Sequence, residues 1–368
     1  MHSFIILPSL RSSVTQDDNV FPDSGNKRSD TIISVRPEVD IESDWNNHAL
    51  NLSLAAEVGR YSSFSNENYE DFELGINGRT DFSRVARLYS GFSFDRLHEG
   101  RESADSSNGG EPTIYSDMRA YAEYRQTLNR VNYQLRGVIQ ELDYDDVSGS
   151  GVTINNDDRD RRILELGGKI AYEFEAQYAG FAELIINERN YSSTPDDDGF
   201  NRDSSGYELN VGVEAALSGV SRASAYIGYV SQDPADARFS NVEGTSLGGD
   251  FTWNLSALTA IRFTLEQSTE ETTLASAGAL QNHFGVRADH ELLRNLILYA
   301  AWDSFSNDYE DIDREDKDSE LLIGANYMAN RSLYFLAEIR RDKRDSSGAN
   351  NGVNFTRQQV EVSARLNL

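Results

Sequence analysis

The feature that most constrains this chain is an alternation of apolar and polar residues with a period of two. From Leu50 to Val58 the even positions are Leu50, Leu52, Leu54, Ala56 and Val58, while Asn51, Ser53 and Glu57 fall between them. Successive side chains of a strand point to opposite faces, so this run has one apolar and one polar face. The pattern recurs at Leu164, Leu166, Ile170, Tyr172 and Phe174 against Glu165, Lys169 and Glu173. It closes the chain with Val360, Val362, Ala364 and Leu366 against Glu361, Ser363 and Arg365. Extended along the sequence it predicts about 18 strands, with 16 as the lower count, from 3–15 at the start to 355–368 at the end. Two segments, Tyr178 to Asn190 and Leu296 to Asp303, carry apolar residues on both faces, which leaves their register open.

The connections carry a second rhythm. Short ones such as 176–177, Ser218-Gly219-Val220 and 329–330 alternate with long polar ones such as 96–112, 145–160 and 269–280. Strict short-long alternation puts the tight turns at one end of a meander and the long loops at the other, the asymmetry of a transmembrane barrel. A soluble sandwich or solenoid would use strands nearer the usual mode of about 5–6 residues, or a repeated unit, and the chain shows no such unit. The expected fold is therefore all-β: a transmembrane up-and-down antiparallel β-barrel with short periplasmic turns and long acidic outer loops, forming one domain over residues 1–368.

Composition fits a barrel and excludes much else. With 34 basic and 61 acidic side chains the formal net charge is −27, and 38% of residues are hydrophobic. Mean hydropathy is −0.57, as expected if only alternate strand residues meet lipid while lumen and loops stay wet. No apolar run reaches the roughly 18 residues of a membrane helix, and an aromatic content of 10% argues against disorder. The absence of Cys removes disulfides, thiolate metal sites and Cys nucleophiles. Acidity argues against nucleic acid as a partner, because a phosphate backbone needs a basic face.

Few residues suggest chemistry. The five histidines show no metal-ligand spacing. Asp196-Asp197-Asp198-Gly199 and Asp311-Ile312-Asp313-Arg314-Glu315-Asp316 lack the order of a calcium loop and read as solvated anionic loops. His283, Arg287 and Asp289 share a strand face without a paired Ser motif. No catalytic, cofactor or metal site is expected, and no enzymatic activity.

The polar parity is the informative surface. It gives Arg36, Glu38, Asp40, Glu57, Asp117, Arg119, Arg136 and Glu165 as lumen-lining candidates, continued by Lys169, Glu214, Arg262, Arg287, Asp289, Glu361 and Arg365. Both signs occur along that parity with acids in excess, so an open pore is expected to prefer cations. Aromatics near strand ends, among them Trp45, Tyr61, Tyr207, Trp302 and Phe305, are candidates for the interface girdles of a barrel.

The opening residues add a resemblance. Leu7-Pro8-Ser9-Leu10, then Asp17-Asp18-Asn19-Val20-Phe21, then Ser34-Val35-Arg36-Pro37-Glu38-Val39 resemble the start of the β-barrel porin type 2 family of Gram-negative outer membranes. In that family a first strand with a proline leads to a D-N-aromatic loop, and a second strand carries V-x-P. The resemblance implies an outer-membrane location, a link with exopolysaccharide-secretion components, and no catalytic residues. Family members begin with an export signal, which Met1 to Pro8 does not supply, so the start is expected to be truncated. The first functional expectation is a porin-like passive channel for small solutes or ions, surrounded by outer-membrane lipid and lipopolysaccharide. The second is a non-conducting structural or surface-binding barrel.

Overall fold

The computed structural model describes residues 3–106, 109–149, 152–217 and 221–368. In chain order the strands are β1 (Ser3–Asp17), β2 (Asp30–Asp44), β3 (Ala49–Tyr61), β4 (Tyr69–Asp81), β5 (Ala86–His98), β6 (Ile114–Leu128) and β7 (Val131–Tyr144). Two short strands follow, β8 (Val147–Gly149) and β9 (Val152–Ile154). Next come β10 (Arg161–Glu175), β11 (Tyr178–Tyr191), β12 (Ser204–Ala216), β13 (Arg222–Pro234), β14 (Val242–Ser256) and β15 (Thr259–Glu270). The last five are β16 (Ala279–Leu293), β17 (Leu296–Tyr309), β18 (Glu315–Met328), β19 (Leu333–Ser347) and β20 (Phe355–Asn367).

Apart from β8 and β9, every strand pairs antiparallel with its neighbours in sequence, β7 passing directly to β10, in one 18-stranded sheet. The first and last strands also pair, from Ser9 opposite Asn367 to Asp17 opposite Gln359, so the sheet closes. Closure matters because hydrocarbon offers no hydrogen-bond partner, and a barrel leaves no open edge of backbone N–H and C=O groups. The β8–β9 hairpin lies within the loop after β7, where the Gly110 N–H donates to the Ser148 carbonyl at 2.7 Å. Its arms are too short to show periodicity in sequence. The expected turn Ser218-Gly219-Val220 lies outside the described residues.

The two faces follow the alternation. Leu164, Leu166, Ile170, Tyr172 and Phe174 of β10 are exposed on the outside, and so are Leu209, Val211 and Val213 of β12. The interior is polar instead: Ser9, Ser13, Ser34, Asn210, Ser246, Arg357 and Ser363 are buried. Outward aromatics gather near both ends, as in the T-shaped Phe4–Trp45 pair at the short-turn end (5.6 Å) and Tyr207–Tyr229 toward the long loops (6.1 Å). Tyr61 and Phe305 correct the girdle assignment. Tyr61 lines an interior cavity, and Phe305 stacks at 4.4 Å on His283, whose Nε2 lies 2.8 Å from Asp303.

Candidate functional site: the lumen and its inward loops

The polar faces of β1 to β4, β19 and β20, with the start of the loop after β5, border an open cavity of about 780 Å3 whose lining includes Arg11, Glu57, Tyr61, Tyr69, Glu361 and Arg365. Alternation alone brings these charges together, because residues directly opposite on paired strands share a face. Arg36 donates from Nε to Glu38 at 2.8 Å and from Nη1 to Glu73 at 2.7 Å, with Glu57 at 3.5 Å. Glu38 also takes Arg365 at 3.0 Å and the Ser9 hydroxyl at 3.1 Å, and Arg11 pairs with Glu361. Across the strand closure, then, four of the sequence candidates (Arg36, Glu38, Glu57 and Arg365) form one network.

Others pair locally. Lys169 donates to Glu214 and sits 3.8 Å over the Phe181 ring. Arg262 and Arg287 both reach Asp289, at 3.4 and 2.9 Å. Asp117 accepts from the Gln140 amide at 2.8 Å. Asp40, Arg119, Arg136 and Glu165 form no ion pair among the described residues. A second cavity, of about 490 Å3, lies at the short-turn end with Glu173, Glu214, Arg222 and Asp250 in its lining.

The acidic loops are only partly solvated, which corrects the sequence reading. Asp196 is held by Arg202 at 2.6 Å with side-chain exposures of 1% and 6%, and Asp316 by Arg314 at 2.6 Å with exposures of 0% and 7%. Asp197, Asp198, Asp311 and Asp313 remain exposed. Burying one carboxylate against one guanidinium removes it from the solvent-facing cluster, since an unpaired buried charge would be costly. Among the described residues no cluster of three His, Asp or Glu side chains is arranged to hold a metal ion.

Two loops turn inward. The one after β5, described over residues 99–106 and 109–113, is tied at successive points. Arg159 donates to Glu99 at 2.7 Å, and Arg101 donates twice to Glu67 at 2.8 Å. Arg344 of β19 donates to the Glu102 carbonyl at 2.8 Å, and Arg357 of β20 to the Glu102 carboxylate at 3.0 Å. A loop rooted on β5 and β6 thereby reaches the wall formed by β19 and β20. The loop after β15, residues 271–278, leans toward β10 and β11. Glu271 accepts from Arg161 at 2.5 Å and from the Tyr191 hydroxyl at 2.9 Å, while Arg202 donates to the carbonyls of Thr272, Thr273 and Leu274 at 2.7, 3.0 and 3.0 Å.

Three hydrogen bonds from the second loop to the first converge on one atom. Asp105 Oδ1 accepts from Thr272 Oγ1 at 2.9 Å, Thr273 N at 3.1 Å and Thr273 Oγ1 at 3.0 Å. The gaps left between the second loop and the β10–β11 wall are about 30 and 20 Å3, room for isolated waters and not for a solute. Burial pushes the Glu271 and Glu102 carboxyls up, but the guanidiniums beside them, Arg161 and Arg189 for Glu271 and Arg357 for Glu102, bring both below the usual range. Asp160, at the foot of β10, goes the other way: burial and the nearby Asp143, Asp157 and Asp158 push it up to about 6, against the hydrogen bond it accepts from the Tyr144 N–H.

Sequence reasoning missed Glu99, Arg101, Glu102, Asp105 and Thr272, because all lie in loops where no parity applies. The visible signal was indirect: Arg161, Arg344 and Arg357 stand at strand ends next to long loops and require partners.

A closed antiparallel barrel with an apolar outer belt and a charged lumen constricted by inward loops defines an outer-membrane β-barrel of porin type. The chain belongs to the family described as "Putative beta-barrel porin 2", whose model matches residues 1–368. Its place is the outer membrane of a Gram-negative cell. Among solved structures it is similar in fold to Pseudomonas aeruginosa OccK2 (OpdF), with TM-score 0.52, 10% identity, and 99% of this chain and 98% of that one covered. It is also similar to Pseudomonas aeruginosa OpdQ, with TM-score 0.51, 12% identity and the same coverage of 99% and 98%. OccK2 has also been solved in complex with glucuronate. Curated protein sequences yield no match.

Proposed function

We propose that this barrel is a passive channel for small solutes or ions, with a preference for cations and neutral solutes over anions. The observation that carries the reading is the open cavity of about 780 Å3, whose lining holds Asp17, Glu57, Glu67, Glu99, Glu102, Glu338 and Glu361 against Arg11, Arg101, Arg340, Arg357 and Arg365. Paired charges cancel at short range, and the surplus of carboxylates leaves a negative field that draws cations in. The candidates named from the polar parity, from Arg36 to Arg365, line the path in this reading. Glucuronate, the ligand of OccK2, is an anion, and this lumen is poorly suited to it. The sheath around the barrel is outer-membrane lipid and lipopolysaccharide. A link with polysaccharide secretion rests on the family resemblance.

Single-channel recording of refolded protein in a planar bilayer tests the reading. Reversal potentials across a salt gradient should show cation preference at low salt. The preference should weaken in concentrated KCl, because the Debye length falls from about 10 Å at 0.1 M to about 3 Å at 1 M. Anion preference at low salt would contradict it. The second reading, a non-conducting structural or surface-binding barrel, is favoured by the two inward loops that meet at Asp105, and absence of conductance would select it.

A further inference from the structure

On the outer face, beyond the apolar belt and toward the long loops, cations stand beside acids. Arg60 of β3 bonds Glu70 of β4 at 2.5 Å, and Arg162 of β10 lies directly opposite Glu141 of β7 at 3.2 Å. Strands β18 and β19 break this pattern. Their belt ends at the exposed Ile323 and Ile339, which face each other across the pair. One step further toward the loops Arg341 stands between Leu321 and Gln358, and the next step places Lys343 between Ser319 and Thr356. Only in the third row, where Lys317 lies opposite Asp345, does a carboxylate appear. Lys317 and Lys343 are diagonal neighbours across the pair, roughly 7–8 Å apart at the backbone. Both lysines have acid partners, Asp345 for Lys343 and Glu315 at 2.9 Å for Lys317, and each acid stands on the loop side of its lysine. Arg341 is exposed and forms no ion pair or hydrogen bond among the described residues. The edge that meets the membrane is thus purely cationic, in a chain whose formal net charge is −27.

We propose that Lys317, Arg341 and Lys343 form a site on the outer wall for the phosphate groups of lipid A, the membrane anchor of lipopolysaccharide. In an outer-membrane barrel the long loops face the exterior, so these residues stand at the headgroup level of the outer leaflet. A phosphate monoester carries about −1.5 to −2 charge near neutral pH and three strong acceptor oxygens. Arg341, nearest the belt and without a partner, presents the planar fork that matches a phosphate, while the lysines supply point charges behind it. Glu315 and Asp345 repel the phosphate from the loop side and so fix its depth. Acyl chains attached to a headgroup held there run down over Ile339 and Ile323, which a free phosphate ion lacks the means to do. The inference rests on the lipopolysaccharide sheath named above and not on conduction through the pore.

Native mass spectrometry of the refolded barrel in detergent tests the site, with four probes: bisphosphorylated lipid A, lipid A stripped of its phosphates, phosphatidylglycerol and inorganic phosphate. The natural chain is expected to retain bisphosphorylated lipid A in preference to the other three. Arg341→Gln should weaken that binding about fivefold, and Lys317→Gln, Arg341→Gln and Lys343→Gln together by about tenfold or more, each basic residue near an anionic lipid surface adding a similar increment. Arg60→Gln, whose guanidinium is already held by Glu70, should bind as the natural chain does. Heat-modifiable gel migration checks that each variant is folded, and the single Arg341→Gln change carries the test should the triple variant not fold. Equal retention in the natural chain and the variants, an equal loss in Arg60→Gln, or equal binding of the phosphate-free lipid would overturn the site. Phosphatidylglycerol or inorganic phosphate bound as tightly as lipid A would overturn lipopolysaccharide as its occupant. Conductance measured in parallel separates this result from the channel reading. A silent barrel that holds lipid A through these residues supports the site and overturns the channel, whereas a conducting barrel without preference for lipid A overturns the site and leaves the channel standing.

Discussion

Five inward-facing aromatic rings lie directly opposite glycines on the next strand: Tyr69 over Gly59, Tyr121 over Gly91, Phe181 over Gly212, Tyr226 over Gly248 and Tyr299 over Gly324. A methyl group added at Gly324 would stand 2.3 Å from the Tyr299 ring, and at Gly59 2.1 Å from Tyr69. The ring covers the strand that lacks a side chain and lies along the lumen wall; Tyr299 then donates its hydroxyl to Glu338 at 2.6 Å. This explains why alternation was ambiguous at Tyr178 to Asn190 and Leu296 to Asp303. Phe181 and Tyr299 occupy the polar parity in those segments, and the glycine that accommodates each is on another strand, out of reach of a local pattern. Gly324→Ala should lower stability by about 1–3 kcal/mol through overpacking. Gly167→Ala, where the nearest atom to a new methyl is Ile185 Cγ1 at 3.7 Å, should be close to neutral. Denaturant unfolding in detergent micelles, followed by intrinsic fluorescence, checks the contrast, and equal losses would mean that the rings do not depend on the glycines.

At the scale of elements, strand positions were legible and strand ends were not. Alternation places strands at 84–95, 295–305 and 331–342, whereas the structure gives Ala86–His98, Leu296–Tyr309 and Leu333–Ser347. In these three the excess lies toward the long loops, whereas β6 (Ile114–Leu128, expected at 114–125) is extended toward its short turn. The outer face of β3 is apolar from Leu50 to Val58 and then meets Arg60, bonded to Glu70 at 2.5 Å; on β10 it is apolar from Phe174 back to Leu164 and then meets Arg162, 3.2 Å from Glu141. A tilted strand needs about 9–11 residues to cross the hydrocarbon. The remaining turns of the ladder stand above it, where outward charges make strand look like loop. The inward folding of residues 99–106 and 271–274 was illegible for a different reason, because it depends on arginines from strands distant in sequence. Those contacts make the loops sensitive to acid. Glu102 and Glu271 have carboxyls depressed in the folded state, so the stability they contribute is complete above the ordinary Glu value of 4.5 and is lost as pH falls below it. Asp160 has the opposite sign: with its carboxyl raised to about 6, the foot of β10 gains stability as pH falls from 6 toward 3.8. Conductance should therefore stay level from pH 8 to 5 and rise below about 4.5. Glu271→Gln, which keeps the size and loses the charge, should show part of that rise at pH 7. A flat profile down to pH 3.5 would show that these two carboxylates do not hold the loops.

For the whole molecule the decisive fact is which solvent each face meets. A soluble sheet would bury its apolar face against a second layer, but here exposed residues such as Leu166, Val211, Ile227, Ile323 and Val362 ring the outside of a closed sheet, and the interior they leave behind is polar. Hydrocarbon is the medium that suits such a surface, and the same closure that satisfies the backbone in lipid makes unfolding an all-round event. The protein is expected to fold only in detergent or lipid and to migrate differently on a gel before and after boiling. The two faces can be told apart within one strand. Leu54, midway along β3 and opposite Val39 and Leu74, lies on the outer parity; its neighbour Ser53 lies inside, with its hydroxyl 3.5 Å from the Gly75 carbonyl. Leu54→Arg places a guanidinium near the bilayer midplane and should cost about 2–4 kcal/mol. Ser53→Arg sends the same group into a wet lumen that already holds Glu57, Glu73 and Asp40, and should be nearly tolerated. Unfolding titrations of both variants in lipid vesicles provide the comparison: a large loss for Leu54→Arg alone fits the faces described here, whereas equal losses, or a cooperatively folding monomer without detergent, would show that the outer belt does not meet lipid.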